Sequence, residues 1–440
     1  MRLLRAGILL AMVPAACTPV GVSDPVSPPV ETARPAERPQ PVAPTIGRPR
    51  SARPVRAFAE VRGLWVVRST MTSEEEVRSM VADAAAAGFN TLIVQIRGRG
   101  DAFYQSDLEP RAETIEGPDD FDPLELAIRE GHLRGMAVHA WVNTHLVWGS
   151  ATLPSSPYHL VNEHPEWLAV PQYLARDLIH VDPRDPRFVA GLRQYAADRP
   201  ETVEGIYTSP SHPEVRERIF AVWMDLVSRY DLDGIHFDYI RFPSPDYDYS
   251  HGALQRFRAW VEPRVPAARL RDLQRVVLSD PLAFATALPT EWDEFRRTQI
   301  TSLVRDIYTA VKARRPELVV SAAVVADAQA AYGHRYQDWR SWLADGILDI
   351  AVPMAYTPDN GTFRAQVRTA RDAAGSRERV WAGIGAYMNT VDGTLNKIDV
   401  ARAEDAGGVV LFSYDWAVGE GIGDAADPFL DRVGRERFGS

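Results

Sequence analysis

The chain has 440 residues, 45% hydrophobic and 25% charged, the make-up of a globular protein with room for one large α/β domain or two ordinary ones. A net charge of −10 supplies no dominant basic face for a phosphate backbone and argues against a general nucleic-acid binder. Arginine carries nearly all the positive charge, lysine occurring only at Lys312 and Lys397, so one arginine near a site says little alone.

The first residues read as an export signal. MRLLR gives a positive start, and AGILLAMVPAA is apolar but too short to span a bilayer. Cys17, the sole cysteine, follows two alanines and resembles the lipid-attachment residue of a bacterial lipoprotein, with Pro14 where leucine is usual. The alternative is a secreted protein cleaved near Ala16. Both place the chain in the cell envelope or outside the cell, the first with a lipid anchor in the membrane. Residues 18–55 are proline-rich and poor in large apolar groups, which predicts an extended tether without a core.

From residue 56 to about 430, strand-like runs alternate with helical patterns. The strand candidates are 61–68, 91–97, 136–143, 233–239, 318–327, 348–356, 380–387 and 407–414. Between them, 73–88, 123–135, 213–230, 294–314, 363–375 and a shorter stretch at 394–406 carry helical spacing, several opening on Ser or Pro. Eight strand-then-helix units predict a (β/α)8 TIM barrel; an open sheet of six or seven strands is the alternative. Two long connections, 144–210 and 242–291, follow the third and fourth strands, on the face where such barrels hold their sites.

Strand alternation sorts the side chains. In DGIHFDY, Ile235 and Phe237 face the helices, while His236 and Asp238 face the barrel axis. Gln95 and Arg97 share the inward phase of their strand, as do His139, Trp141 and Asn143 of theirs. Arg68, Asp327, Tyr356 and Tyr387 end other strands, and the eighth runs into Ser413, Tyr414, Asp415 and Trp416. Polar and aromatic groups thus gather at one end of the barrel. No cofactor is expected: GxGxxG and P-loop patterns are missing, as are HExxH and the GxSxG elbow. Carboxylates, arginines and rings suit sugars, whose CH faces stack on rings and whose cleavage uses a carboxylate pair.

RGLWVVR, NTLIVQIRGRGDAFY, HAWVN, the SPSHPEVR run, DLDGIHFDYIRFP and VPMAYTP resemble the bacterial glycosyl hydrolase-like 10 family over roughly residues 58–420. That resemblance implies a TIM-barrel glycosidase, in some members a lipoprotein acting on peptidoglycan glycan strands. Some members carry a second acid after the strand-four Asp, where this chain has Tyr239, and Ser209-Pro210 stands where relatives often have Asp-Pro. Compared with the chitinase-like DGxDxDxE, the chain has His236 at the middle acid and Ile240 at the final Glu, which disfavours substrate-assisted chemistry. The spacing is nearer the amylase-like pattern, implying Asp238 as nucleophile or charge stabiliser and Asp327 on strand five as the second acid.

The expected substrate-binding set is Arg68, Gln95, Arg97, Trp141, Asn143, His236, Tyr239, Arg241, Tyr356, Tyr387, Asp415 and Trp416. Each also has a structural reading. Asp238 could be the buried partner of Arg68 or Arg97, His236 a satisfied core histidine, Arg241 a rim ion pair, and the rings ordinary core. Asp233 reads as turn chemistry, and Asp246 and Asp248 as loop acids. Two functional readings stay open: an envelope glycoside hydrolase acting on a polysaccharide such as peptidoglycan glycan, or a non-catalytic carbohydrate-binding lipoprotein on the same scaffold. A second carboxylate facing Asp238, at about 5 Å for retention or about 6.5–9.5 Å for inversion, separates them. A metal-dependent deacetylase lacks the His/Asp ligand cluster it needs.

Overall fold

A computed structural model describes residues 58–419, 423–424 and 427–439. The export signal, Cys17 and the proline-rich segment 18–55 lie outside the described residues. Eight parallel strands close a barrel: β1 (Val61–Val66), β2 (Thr91–Arg97), β3 (Ala137–Asn143), β4 (Gly234–Asp238), β5 (Val319–Val325), β6 (Ile350–Met354), β7 (Trp381–Gly385) and β8 (Gly408–Phe412). Chain order is also spatial order, and β8 pairs back onto β1 with Trp65 opposite Phe412. The open-sheet alternative is excluded by that closure. Most strands stop one or two residues before the expected end, because polar residues such as Arg68 and Tyr356 leave the ladder at the barrel mouth.

The alternation in the sequence decides the layers. Leu92, Val94 and Ile96 of β2, and Val138, Ala140 and Val142 of β3, join the outer core beneath the helices. Phe237 is fully buried there, edge-on to Trp223 of the helix Pro213–Arg229 at 5.1 Å, a burial contributing about 2–3 kcal/mol. The opposite phase, Trp65, Ile93, Trp141, Val352, Trp381 and Val410, fills the barrel interior. Helices start where the sequence signals them. Ser73 accepts from the Glu76 N–H at 3.2 Å, and Asp122 caps a helix whose first residue is Pro123.

The two long connections are not independent decorations. The first pairs Leu146–Trp148 with Ile206–Tyr207 and carries the helices Gln172–Leu178 and Pro186–Ala197; the second carries His251–Val261 and Ala267–Val276. Both contribute to one second apolar core, Val147, Leu168 and Phe188 from the first joining Phe257 from the second. Trp292 and Phe295 complete it, which is why the helix expected from residue 294 starts at Pro289 instead. The barrel mouth is thereby walled on one side by a packed body.

Candidate active site

Aligned strand tips build the site. Register sets Gln95 beside Trp141, Trp141 beside His236, and Asn143 beside Asp238. Above this layer opens a cavity of about 210 Å³, on the scale of a sugar ring, lined by Arg68, Gln95, Trp141, Asn143, Asp238, Tyr239, Arg241 and Tyr356 from the expected set. Trp65, Val67, Arg99, Ala323, Met354 and Phe412 complete the lining. Trp65 and Phe412 share the inward phase of β1 and β8, so alternation could have found them; Arg99 sits on a connection, where no periodicity marks it.

The floor is aromatic. Tyr356 stands edge-on to Trp65 at 6.3 Å and is tilted against Phe412 at 5.6 Å. Burial, reinforced by the negative charge of Asp238, keeps the Tyr356 phenol protonated well beyond its usual range, so it keeps an O–H to donate at working pH. One wall is a closed hydrogen-bond relay. Asn143 donates to the Gly98 carbonyl at 2.8 Å and accepts from Trp141 Nε1 at 2.9 Å and from Gln95 Nε2 at 3.3 Å. Gln95 Oε1 in turn accepts from Arg68 Nη1 at 3.1 Å. Each amide is oriented by its neighbours, so the wall is preorganised.

Asp238 is the one carboxylate in this lining among the described residues. Its Oδ1 accepts the Tyr239 N–H at 2.6 Å and Arg241 Nη1 at 3.3 Å, while Oδ2 takes no hydrogen bond from the described residues. Burial pushes the carboxyl above its usual range; Arg241 and the Tyr239 N–H oppose this, and the negative charge of Glu204 adds to it. Arg241 is buried, lies 4.2 Å over the Tyr239 ring, and its Nη2 reaches Glu204 Oε1 at 3.5 Å. One planar guanidinium therefore spans both carboxylates and holds their oxygens within roughly 9 Å of each other. Glu204 comes from the connection after β3, and the Tyr207 hydroxyl donates to its Oε2 at 2.5 Å. Nothing in its sequence neighbourhood singles it out. Tyr239 carries a left-handed backbone, φ 48°, a strained conformation for a tyrosine costing on the order of 1 kcal/mol.

Several expected site residues stand elsewhere. Asp327 is the N-cap of the helix Ala328–His334, accepting from the Gln329 and Ala330 N–H groups at 2.9 Å each, and it does not line the cavity. Arg97 was placed inward by alternation, but the ladder bulges between Gln95 and Arg97, setting Arg97 opposite Val142. Its guanidinium binds the Asn143 carbonyl at 2.6 Å and pairs with buried Glu109 at 3.2 Å. His236 lies beneath the floor. Its Nε2 accepts from Trp65 Nε1 at 3.1 Å and its Nδ1 faces Ser321 Oγ at 2.9 Å; burial holds the ring neutral, far below the usual histidine range. Tyr387 is half-exposed at the rim, edge-on to Tyr356. Asp415 clamps the turn carrying Arg68, accepting from the Val67 N–H at 2.7 Å and from Ser69 and Thr70. Trp416 packs on Phe429 at 5.3 Å. Among the described residues no cluster of three or more His, Cys, Asp or Glu could hold a metal, and no helix is long and apolar enough to cross a membrane.

A closed parallel barrel with its cavity at the C-terminal strand tips is the architecture of TIM barrels. The PgaB (BpsB) glycoside hydrolase domain from Bordetella bronchiseptica superposes with a TM-score of 0.57 at 13% identity, covering 82% of this chain and 96% of that one. A GH42 β-galactosidase from G. stearothermophilus gives 0.55 at 13%, covering 87% and 57%. The chain belongs to the glycosyl hydrolase-like 10 family, whose model matches residues 60–390. Glycosyl hydrolase DigH of Escherichia coli (strain K12) is 26% identical over 332 residues, and glycosyl hydrolase YngK of Bacillus subtilis (strain 168) 24% over 330. Both matches cover 68% of this chain, which spans 63% of DigH and 54% of YngK.

Proposed function

We propose that the protein is a glycoside hydrolase of the cell envelope, held there through Cys17, that cleaves a polysaccharide such as the glycan strands of peptidoglycan. The observation that carries this reading is Asp238: a strand-tip carboxyl with raised proton affinity and an unbonded Oδ2, on a cavity floored by rings. Such a group delivers a proton to the leaving glycosidic oxygen as the C–O bond breaks. Water then adds to the anomeric carbon and gives up its proton to a carboxylate base. Glu204, coupled to Asp238 through Arg241, is assigned that second role. Tyr356 and the Trp65 and Trp141 rings hold the sugar, and the relay of Asn143, Gln95 and Arg68 meets its hydroxyls. Membership of the family and the barrel neighbours support this reading.

One observation favours a non-catalytic carbohydrate-binding protein instead: Glu204 stands behind Arg241 and outside the cavity lining. Sugar release from isolated peptidoglycan, with and without its stem peptides, separates the two. Release by the full chain and at least a thousandfold less by Asp238→Asn is the expected result. Glycan binding by both proteins with release by neither refutes the hydrolase.

A further inference from the structure

The cleft does not end at the Asp238 cavity. Arg68 and Arg99 form a wall common to it and to a neighbouring chamber of about 400 Å³, whose other sides include Trp148 and His159. Both arginines are held in place by their surroundings. Arg68 opens the short turn after β1 that Asp415 clamps, and its side chain lies on Gly98: a Cβ there would stand 2.4 Å from Arg68 Cδ. The Arg99 N–H donates to Asp101 Oδ1 at 2.8 Å, and its carbonyl accepts from His159 Nε2 at 2.7 Å. The His159 Nδ1 accepts the Val161 N–H at 3.2 Å, which fixes that tautomer, and the ring stands edge-on to Trp148 at 4.9 Å.

What distinguishes this pair is the absence of a carboxylate at ion-pair distance, although Asp101 and Glu113 line the same chamber as the two arginines and as Arg111. Buried Arg97 has Glu109, and Arg241 has Asp238 and Glu204. Among the described residues, neither the Arg68 nor the Arg99 guanidinium has a carboxylate within ion-pair distance; Arg68 gives one N–H to Gln95 and Arg99 one to the Gly98 carbonyl. The partial burial of Arg68 weakens its hold on its proton, and the Arg99 charge weakens it further, more than Asp101 restores. Two forked cations facing one cleft, repelling each other with most of their donors unspent, are arranged for an anion that arrives with the substrate.

Resting on the glycosidase reading, we infer that Arg68 and Arg99 form an anion subsite that reads a carboxylate on a sugar next to the cleaved linkage, with Trp148 beneath that sugar's apolar face. The substrate class is then an acidic glycan. Its carboxylate belongs either to a lactyl ether, as on peptide-free peptidoglycan strands, or to a uronic acid.

The test is binding to the full-length Asp238→Asn protein by calorimetry, with release by the unmodified chain measured in parallel. The probes are peptide-free peptidoglycan fragments, the same fragments with carboxyls reduced to alcohols, and an oligouronate. An acidic probe is expected to bind about 10- to 100-fold more tightly than the reduced fragments, less so as salt rises. Arg99→Gln should remove that preference while leaving the reduced fragments unaffected; Gly98→Ala, by displacing Arg68, should remove it too, with the loss of Arg68's hydroxyl contacts weakening acidic and reduced fragments alike. Whichever acidic probe binds more tightly names the source of the carboxylate. Equal binding of acidic and reduced fragments, an equal loss for both in Arg99→Gln, or no binding of either acidic probe overturns the subsite. Turnover without discrimination leaves the hydrolase standing and removes the subsite; discrimination without turnover does the reverse.

Discussion

Arg241 is the most informative single perturbation, because its removal strands charge rather than space. Methionine keeps the apolar stem over Tyr239 but takes away the cation between Asp238 and Glu204. Breaking a buried pair from one side costs about 3–5 kcal/mol. Glu204, with 31% of its side chain exposed, accounts for under about 1 kcal/mol of that, so Asp238, 10% exposed, carries most of the loss. The expected cost of Arg241→Met at pH 8 is therefore roughly 3 kcal/mol. Its pH dependence follows from Asp238, already raised by burial and released from the opposing pull of Arg241. A folded-state affinity raised above the unfolded one gives stability that is complete below the unfolded pKa and lost as pH rises through the folded pKa. The deficit should thus be largest at pH 8 and shrink towards pH 5. Urea unfolding followed by tryptophan fluorescence at both pH values reads this directly, and Asp238→Asn in the Arg241→Met background should recover about 2 kcal/mol. A deficit of equal size at both pH values, or no recovery in the double variant, would mean lost packing and refute the stranded-charge account.

Other outcomes follow from the same geometry. Glu204→Gln removes a negative charge that raises Asp238, so the alkaline limb of the pH–rate profile should move to lower pH while the maximal rate falls at least about 100-fold; an unmoved limb breaks the assigned coupling. Asp327→Ala should cost about 1 kcal/mol in urea unfolding by uncapping its helix and leave the rate of sugar release unchanged. Tyr356→Phe keeps the ring on the floor and removes the donor beside Asp238, so it should reduce kcat more than it raises KM.

How much of this was legible in the sequence depends on period. The barrel, its eight strands and the inward phase of Trp141, Asn143 and Asp238 follow from two-residue alternation, which sheet geometry obeys wherever one face is buried. Arg97 broke the rule because a bulge intervened, and a bulge between Gln95 and Arg97 leaves no mark in TLIVQIR. Asp327 lies just past the end of β5, at the position where a strand-end acid and a helix N-cap look alike; two backbone N–H groups decide in favour of the cap. Arg99 and Glu204 stand on connections, where tertiary packing of the long loops alone sets position.

The distribution of unfavourable features indicates where function sits. Below the cavity the charged and polar groups are largely answered, His236 by Trp65 and Ser321, Asp233 by the Val138 N–H, Arg97 by Glu109 and the Asn143 carbonyl, with His139 Nδ1 and Glu109 Oε2 the exceptions. At the cavity the pattern inverts. Asp238 is buried at a cost to its charged form, Tyr239 holds a left-handed backbone, and Arg68 and Arg99 share a wall with no carboxylate at ion-pair distance among the described residues. None of these helps close an eight-stranded barrel, and each would be relieved by an ordinary substitution. A carboxylate received by the arginines would relieve one of them on binding, and the neutral form that burial favours at Asp238 is the form with a proton to give. That makes the strain intelligible as preorganisation for an acidic glycan rather than as a defect of packing.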